Sequence, residues 1–324
     1  MGQSEVLEIV YRAAGNSTNC AVCKKALMFA CRRGHDSVAR VMIKQGASID
    51  QTDEEGCTAL MHACMNGHGD VALQLIMANA DLNKANVYGA TALMLSCNKG
   101  HAPCALQLIK AKADLNKASK EGLTALMFAC RVGQDSVTGV MIKGGAAVDQ
   151  ISQNGWTALM IACVRGHDQC ALELIKAGAD LEKPNNNGWT PLMKACSGGH
   201  GHDPCVRVMI EAGADVNHAS AHGRTALMEA CRNGHDPCAL QLIKAGANLD
   251  VASNDNFTML MAASCGGLVS IVAQLLPLSQ VNAAVVNTHE TQAGYTALMY
   301  SCELGHEECA LALTKVYHCP MWCI

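Results

Sequence analysis

A four-residue motif, TALM or a close variant of it, recurs along this 324-residue chain at an almost constant interval. Six of the eight intervals between successive motifs are 33 residues long. A fixed period of this length is the signature of a solenoid, in which each repeat packs mainly against its neighbours. The nine motifs begin at Lys25, Thr58, Thr91, Thr124, Thr157, Thr190, Thr225, Thr258 and Thr296.

Each repeat carries the residues that begin and end two short helices. A glycine turn precedes the threonine, whose hydroxyl suits the N-cap of a first helix. A second helix, such as QCALELIKAG at residues 169–178, has apolar residues at i, i+3 and i+4. It ends at a glycine, as at Gly178, Gly213 and Gly246, where the chain needs a left-handed residue. The pattern therefore predicts an all-α chain of helix–turn–helix units.

The segment GWTALMIACVRGHDQCALELIKAGADLE, residues 155–182, resembles the ankyrin repeat, and residues 223–250 resemble it equally well. The resemblance implies an all-α, ankyrin-repeat solenoid of stacked helix-turn-helix units with short β-turn fingers. It divides the chain into an N-terminal capping helix and linker (1–24), nine repeats (25–316) and an apolar C-terminal tail (317–324). The repeats are expected to start near residues 20, 53, 86, 119, 152, 185, 220, 253 and 291.

The repeats depart from the usual ankyrin motif, Thr-Pro-Leu-His, at two positions. Methionine stands in place of the histidine in all nine repeats, and only Pro191 retains the proline. In the family that histidine hydrogen-bonds with the threonine and with neighbouring backbone. We therefore expect thioether packing to replace a polar network in this chain.

Composition argues against several classes of function. The net charge of −4 lacks the basic balance of a nucleic-acid-binding protein, and no uninterrupted run of 18 apolar residues predicts membrane insertion. No phosphate-binding loop or nucleophile motif stands outside the repeat, so we expect no enzyme activity, no cofactor, no metal and no small-molecule substrate. The nineteen cysteines are spaced periodically, which favours small core residues in an intracellular, reducing compartment, most naturally the cytoplasm.

Cysteine and histidine nevertheless recur in a pattern that raises the question of chemistry. The spacing His-x-x-Cys occurs in five repeats, as at His167 and Cys170, and a helix N-terminus lowers the pKa of a thiol. Catalysis needs one shaped pocket, however, and two ligands per repeat fall short of a closed metal site. We expect thirteen cysteines to be core residues, with redox sensing or metal binding through the cysteine rows as the alternative. These are Cys31, Cys64, Cys97, Cys104, Cys130, Cys163, Cys170, Cys196, Cys205, Cys231, Cys238, Cys302 and Cys309.

The positions that vary between repeats indicate where a partner would bind. They include the residue before each motif and the residue four after its start, which the resemblance places on the concave surface. Several are aromatic residues or arginines, the types enriched at binding hot spots. Packing of the aromatic rings on neighbouring turns is the alternative interpretation. The expected partner-binding residues are Phe128, Arg131, Trp156, Arg165, Trp189, Arg224, Arg232, Phe257, Tyr295 and Tyr300.

The sequence thus predicts a non-catalytic scaffold that binds another protein, whose identity it does not give. A structural subunit of a large assembly is one setting for such a scaffold. A further hypothesis, compatible with the first, is that the array is itself an enzyme substrate. The segments LIMANADLN (75–83) and LIKAKADLN (108–116) resemble the asparagine-hydroxylation context of ankyrin repeats, which places Asn83 and Asn116 at the modified position.

Overall fold

The computed structural model describes residues 21–198, 203–278 and 294–317. Within these ranges the regular secondary structure is helical, and no β-strand is present. The chain divides into two compact units, residues 1–153 and 154–324, close to the expected start of the fifth repeat. Most of the expected N-terminal cap (1–20) and nearly all of the tail (318–324) lie outside the described residues.

Four helix pairs form the described part of the first unit. The first helix of each pair contacts the first helix of the next pair, and the second helices contact one another in the same order. Each repeat therefore covers one side of its neighbour. The helices are α1 (Ala21–Arg33), α2 (Asp36–Lys44), α3 (Ala59–Met65), α4 (Gly69–Met77), α5 (Ala92–Lys99), α6 (Ala102–Lys110), α7 (Ala125–Val132) and α8 (Asp135–Lys143).

Five helix pairs form the described part of the second unit, and their first helices again stack in chain order. Odd-numbered helices are the first and even-numbered helices the second members of each pair. The helices are α9 (Ala158–Arg165), α10 (Asp168–Lys176), α11 (Pro191–Ser197), α12 (Asp203–Glu211), α13 (Ala226–Arg232), α14 (Asp236–Lys244), α15 (Met259–Cys265), α16 (Val269–Leu278), α17 (Ala297–Glu303) and α18 (Glu307–Tyr317).

The motif threonine begins the first helix in eight repeats, as predicted. Thr157, for example, has an extended backbone, and its Oγ1 accepts a hydrogen bond from the N–H of Met160 at 3.2 Å. This bond satisfies one of the N–H groups that the start of a helix leaves unpaired. The first repeat has Lys25 instead, which carries no capping hydroxyl. There the helix is not capped at the motif, and α1 begins four residues earlier, at Ala21.

Residues with positive φ close two turns of the repeat, one in the finger and one after the second helix, and most of them are glycines. Asn79 and Lys112 stand after the second helix in the second and third repeats. Gly155 in the finger has φ +75°, and Gly178 after the second helix has φ +82°. Side chains are strained in this region, which glycine enters freely. The eighth repeat has Asn256 at the finger position with φ +59°, because asparagine is the side chain that best tolerates this conformation.

The core of each repeat is built from the leucine, methionine, alanine and cysteine of the first helix. In the fifth repeat Leu159, Met160, Ala162 and Cys163 are all buried. The motif methionine is buried in seven repeats, so thioether packing occupies the position as expected. The exceptions are the repeats at the two ends: Met28 is half-buried, and Met299 is 48% exposed.

The connections between repeats form the expected β-turn fingers, which are joined by hydrogen bonds along the first unit. The N–H of Lys120 donates to the carbonyl of Tyr88 at 2.9 Å, and the N–H of Gln153 donates to the carbonyl of Glu121 at 2.9 Å. A single bridge between Ala118 and Thr124 closes the base of one finger. The fingers are thus held in register by their neighbours without forming a sheet.

Asparagine side chains form a second set of bonds between repeats. Asn83 Oδ1 accepts a hydrogen bond from the N–H of Asp114 at 2.8 Å, and Asn116 Oδ1 accepts one from the N–H of Ala147 at 2.7 Å. Both residues proposed as hydroxylation sites are therefore structural acceptors. Whether they are modified stays a prediction, which intact mass after treatment with an asparagine hydroxylase would test.

The two glycine turns differ in the space around them, which predicts different costs for the same substitution. A Cβ on Gly178 would meet no atom within 4 Å, whereas one on Gly155 would lie 2.7 Å from the backbone nitrogen of Asn186. We expect Gly178→Ala to lower the free energy of unfolding by about 1 kcal/mol, through its positive φ alone. Gly155→Ala should cost at least about 1 kcal/mol more, because the neighbouring finger must move. Urea unfolding followed by circular dichroism measures both, and equal costs would contradict the crowding at Gly155.

Candidate protein-binding face

The residue before each motif and the residue four after its start lie side by side in the structure. We call them the finger residue and the helix residue, and the surface that they form in each unit the finger–helix face. Contacts run between a helix residue and the finger residues of its own and of an adjacent repeat, as the clusters below show. The finger residues are Cys57, Ala90, Leu123, Trp156, Trp189, Arg224, Phe257 and Tyr295. The helix residues are Phe29, His62, Leu95, Phe128, Ile161, Lys194, Glu229, Ala262 and Tyr300.

Two tryptophans on this face of the second unit enclose a lysine. The ammonium Nζ of Lys194 lies 3.9 Å from the ring centroid of Trp189 and 4.8 Å from that of Trp156. These distances are within the range of cation–π attraction. Burial lowers the pKa of Lys194, and the charge of Glu229 acts in the opposite direction. We call Trp156, Lys194 and Trp189 the tryptophan–lysine clamp.

A buried carboxylate follows in the next repeat. Glu229 is 2% exposed, and its Oε1 lies 3.7 Å from a guanidinium nitrogen of Arg224. Arg224 also pairs with Asp255 at 3.4 Å, and its guanidinium lies 4.9 Å from the ring centroid of Phe257. Burial raises the pKa of Glu229, and the charges of Arg224, Arg232 and Lys194 offset only part of this effect. Arg224 is therefore held by two acids and a ring at once.

Aromatic rings continue the face toward the last repeat. Phe257 and Tyr300 meet edge to face with centroids 5.7 Å apart, and Tyr295 and Tyr300 lie 5.2 Å apart. Arg224, Arg232, Phe257, Tyr300 and other side chains line a pocket of about 310 Å³. This pocket is partly open to solvent, whereas sites for metabolites are usually more enclosed. Its two arginines and aromatic wall are better suited to a side chain of another protein.

The first unit has its own pocket on the finger–helix face. The guanidinium of Arg131 lies 4.8 Å from the ring centroid of Phe128 and donates a hydrogen bond to Asn98. Leu95, Leu123 and 63%-exposed Tyr88 contribute to a pocket of about 370 Å³ beside them. Apolar side chains that remain accessible beside a charged group are what a protein interface uses.

The structure thus groups nine of the ten expected residues, all but Arg165, into clusters but also buries some of them. Phe257 is 3% exposed and packs against its neighbours, as the packing interpretation proposes, and Phe128 is buried as well. Arg165 is exposed on the last turn of α9. The expectation omitted Lys194 and Glu229, although both occupy the helix position. The sequence feature that could have identified them is their position. Lys194 and Glu229 each come five residues after a finger residue, Trp189 and Arg224 respectively.

Comparison with known proteins identifies the fold. The family model for ankyrin repeats, in three copies, matches overlapping segments along nearly the whole chain: residues 2–86, 73–150, 93–185, 138–220, 173–253, 200–288 and 246–319. The chain belongs to the ankyrin-repeat family. Repeats of this family are generally protein–protein interaction modules.

A solved structure, the crystal structure of the human ASB11 ankyrin repeat domain, superposes with a TM-score of 0.59. Its sequence is 22% identical, and the match covers 68% of this chain and 98% of that chain. At this identity the likeness shows a shared fold and nothing further. Among curated proteins, the sequence search finds no match.

The cysteine rows of these ankyrin repeats lie in the core. Twelve of the thirteen expected core cysteines are buried; the expectation is wrong for Cys302, which is exposed. The first-helix cysteine of one repeat lies near the second-helix cysteine of the next, since the thiols of Cys64 and Cys104 shift each other's pKa, upward for Cys64 and downward for Cys104. In the last repeat the described residues provide no following repeat, so Cys302 is left uncovered. Burial raises the pKa of the Cys31, Cys97 and Cys231 thiols to about 12, which does not favour redox sensing there.

The repeated histidines also contact the preceding ankyrin repeat. His68 is the N-cap residue of α4, and its Nε2 donates to the carbonyl of Arg32 at 3.1 Å. In the last described repeat, Nε2 of His306 donates to the carbonyl of Cys265 at 2.9 Å. A Cβ on Gly34 would collide with the His68 ring, which shows how closely the ring covers that glycine. His306 and Cys309 have the His-x-x-Cys spacing, and there the histidine joins two repeats. His68 makes the equivalent contact although Val71 stands at the cysteine position.

Within the described ranges, one cluster has three side chains that could ligate a metal: Glu182, Asp215 and His218. Glu182 Oε1 already accepts a hydrogen bond from the N–H of Asp215 at 2.8 Å, and its Oε2 lies 3.9 Å from His218 Nδ1. The cluster serves the contact between two repeats. Among the helices described, none has the length and apolarity that a membrane crossing requires.

Thiol labelling tests the burial of the cysteine rows. At pH 8, a thiol of pKa about 12 is a thiolate in only about one molecule in ten thousand. We expect iodoacetamide to label Cys302 in the folded protein within minutes, while Cys31, Cys97 and Cys231 react only after denaturation. Peptide mass spectrometry reads each site separately. Rapid labelling of these three in the folded protein would contradict the packing described here.

The raised pKa of Glu229 predicts a pH dependence of stability. Below its ordinary pKa of 4.5 the carboxyl is protonated in both folded and unfolded chains. As the pH rises through the raised pKa, the folded chain must ionise a buried group, so stability falls. Glu229→Gln should therefore match the wild type in acid and be more stable near neutral pH. Urea unfolding across pH measures the difference, and Glu303→Gln, which removes an exposed carboxyl, is the control; a difference that shrinks with rising pH would contradict the assignment.

Proposed function

We propose that this ankyrin-repeat chain is a non-catalytic scaffold that binds another protein through its finger–helix face, the surface expected to be concave. The observation that carries the proposal is the tryptophan–lysine clamp. Trp156 and Trp189 both remain partly exposed to solvent. Tryptophan and arginine dominate interface hot spots, and this face carries both.

The chemistry of the face supports binding over catalysis. Arg224, Glu229 and Asp255 are engaged with one another, so they form a rigid polar surface with no free nucleophile or base among them. Pre-ordered side chains lose little conformational entropy when a partner docks. A structural subunit of a large assembly and a regulatory adaptor would use the same surface. Gel filtration of native extract separates these settings, since a fixed subunit elutes entirely with a large particle.

Cross-linked pull-down from the native source tests the proposal with the double variant Trp156→Ala/Trp189→Ala. Phe257 is left intact because its burial would confound binding with folding. We expect a stoichiometric protein partner whose affinity falls at least about tenfold in the variant. Leu73→Ala/Met77→Ala, which removes two exposed side chains from second helix α4, is the control and should bind normally.

Circular dichroism must show that both double variants remain folded. A partner that survives loss of the two tryptophans but is lost in the α4 control would place binding on the second helices and overturn the proposal. Absence of any stoichiometric protein partner would also contradict a scaffold.

A further inference from the structure

We infer that the tryptophan–lysine clamp anchors a carboxylate side chain from an acidic segment of a partner protein. This inference rests on the proposed function and narrows the chemistry of the partner. It concerns residues of the second unit alone. The argument depends on the unused donors of Lys194, on the charges around it and on the order that the two indoles impose.

The ammonium of Lys194 has hydrogen-bonding capacity that the described residues do not use. Trp156 and Trp189 offer ring faces, which attract the charge but accept no conventional hydrogen bond. Glu229 influences Lys194 through its charge yet forms no ion pair with it within 4.0 Å. Among the described residues, no carboxylate or carbonyl bonds to Nζ. An ammonium has three donors, so a carboxylate arriving from solvent finds them available.

The charges on this part of the face have one sign. On α9, α11 and α13 the accessible charged residues are Arg165, Lys194 and Arg232. The one acid on these helices, Glu229, is buried and paired with Arg224. The next acidic residues on this face lie in the following repeats. Asp255 pairs with Arg224, and Glu303 is exposed.

The second helices of the same repeats carry the opposite excess. Acids outnumber bases there, although the whole chain has a net charge of −4. A basic strip on an acidic protein is complementary to an acidic partner and steers it to that strip. The acids on these second helices whose side chains the structure describes are Asp168, Glu173, Glu211 and Asp236, against the bases Lys176, Arg207 and Lys244.

A cationic ligand is the obvious alternative for a pair of indoles, but Lys194 already occupies the space between them. A partner's lysine would have to displace it and would meet its charge. Nucleic acid would satisfy the ammonium through phosphate, yet the acidic second helices and the net negative charge repel a long polyanion backbone. A short acidic protein segment meets the strip without crossing those helices.

The indoles also improve the site for a carboxylate. They restrict the long Lys194 side chain, which otherwise loses considerable rotamer freedom when it binds an anion. Cation–π contact and a charge-assisted hydrogen bond use different sides of one ammonium, so both persist in the complex. The half-exposed rings then pack against the partner's chain beside the carboxylate.

Titration of the full chain with a fluorescein-labelled octaglutamate peptide tests the inference, with octaglutamine as the neutral probe. We expect octaglutamate to bind, and Lys194→Met to weaken it about tenfold through the loss of a charged hydrogen bond. Lys194→Arg keeps the charge, and a guanidinium also stacks on aromatic faces, so this variant should retain binding within about threefold. Lys244→Met removes the same charge from exposed second-helix α14 and should change the affinity less than about twofold.

Four results would overturn the inference. One is that octaglutamate and octaglutamine bind equally, and another is that Lys194→Met and Lys244→Met weaken octaglutamate to the same extent. A third is that octaglutamate fails to bind at all. The fourth is that single-stranded oligothymidylate binds where octaglutamate does not, which would assign the strip to nucleic acid. Circular dichroism of each variant excludes unfolding as the cause.

The inference and the proposed function fail separately. If a captured partner loses binding in Trp156→Ala/Trp189→Ala but binds Lys194→Met as tightly as the wild type, the face is the scaffold surface and the carboxylate anchor is wrong. If the partner also binds Trp156→Ala/Trp189→Ala as tightly as the wild type, the proposed function is wrong as well.

Discussion

Burial of one helix pair by the next is the interaction on which this structure depends. A pair of short helices cannot cover its own apolar side, so leucine, methionine and cysteine of each repeat are shielded by the neighbouring repeats. The contact between Cys64 and Cys104 shows the arrangement, because a first-helix residue meets a second-helix residue one repeat later. In the last described pair, which no other described pair covers on its far side, Met299 and Cys302 are exposed.

The same constraint explains where the repeated histidines and cysteines lie. Residues that recur once in each repeat occupy equivalent places, and in a stacked array an equivalent place is a contact with the neighbour. His68 and His306 accordingly bond to backbone carbonyls of the preceding repeat. The pair His306 and Cys309 shows the arrangement, since Cys309 is buried and the His306 ring bonds to a backbone carbonyl of the preceding repeat.

Repetition also leaves two positions in each repeat that are not tied to one residue type. The finger residue and the helix residue are free to vary, so tryptophan, lysine, arginine and glutamate collect there. Their contacts show that a side chain on this face can pack against its neighbours and still reach solvent. Phe257 is buried and supports Tyr300, whereas Trp156 and Trp189 hold Lys194 and still reach solvent.

The sequence by itself determined the repeat, the helix pairs, the threonine caps and the glycine turns, because each depends on residues within a few positions of one another. It also indicated the variable face, and the family resemblance followed from the same local pattern. Only the tertiary structure decided that Lys194 lies between Trp156 and Trp189, or that Arg224 pairs with Asp255. Trp189 is only five residues from Lys194, but Trp156 and Lys194, like Arg224 and Asp255, are about one repeat apart, and the stacking of helix pairs brings them together. Which side chain is buried and which remains free for a partner is therefore a property of the stack, and no single repeat specifies it.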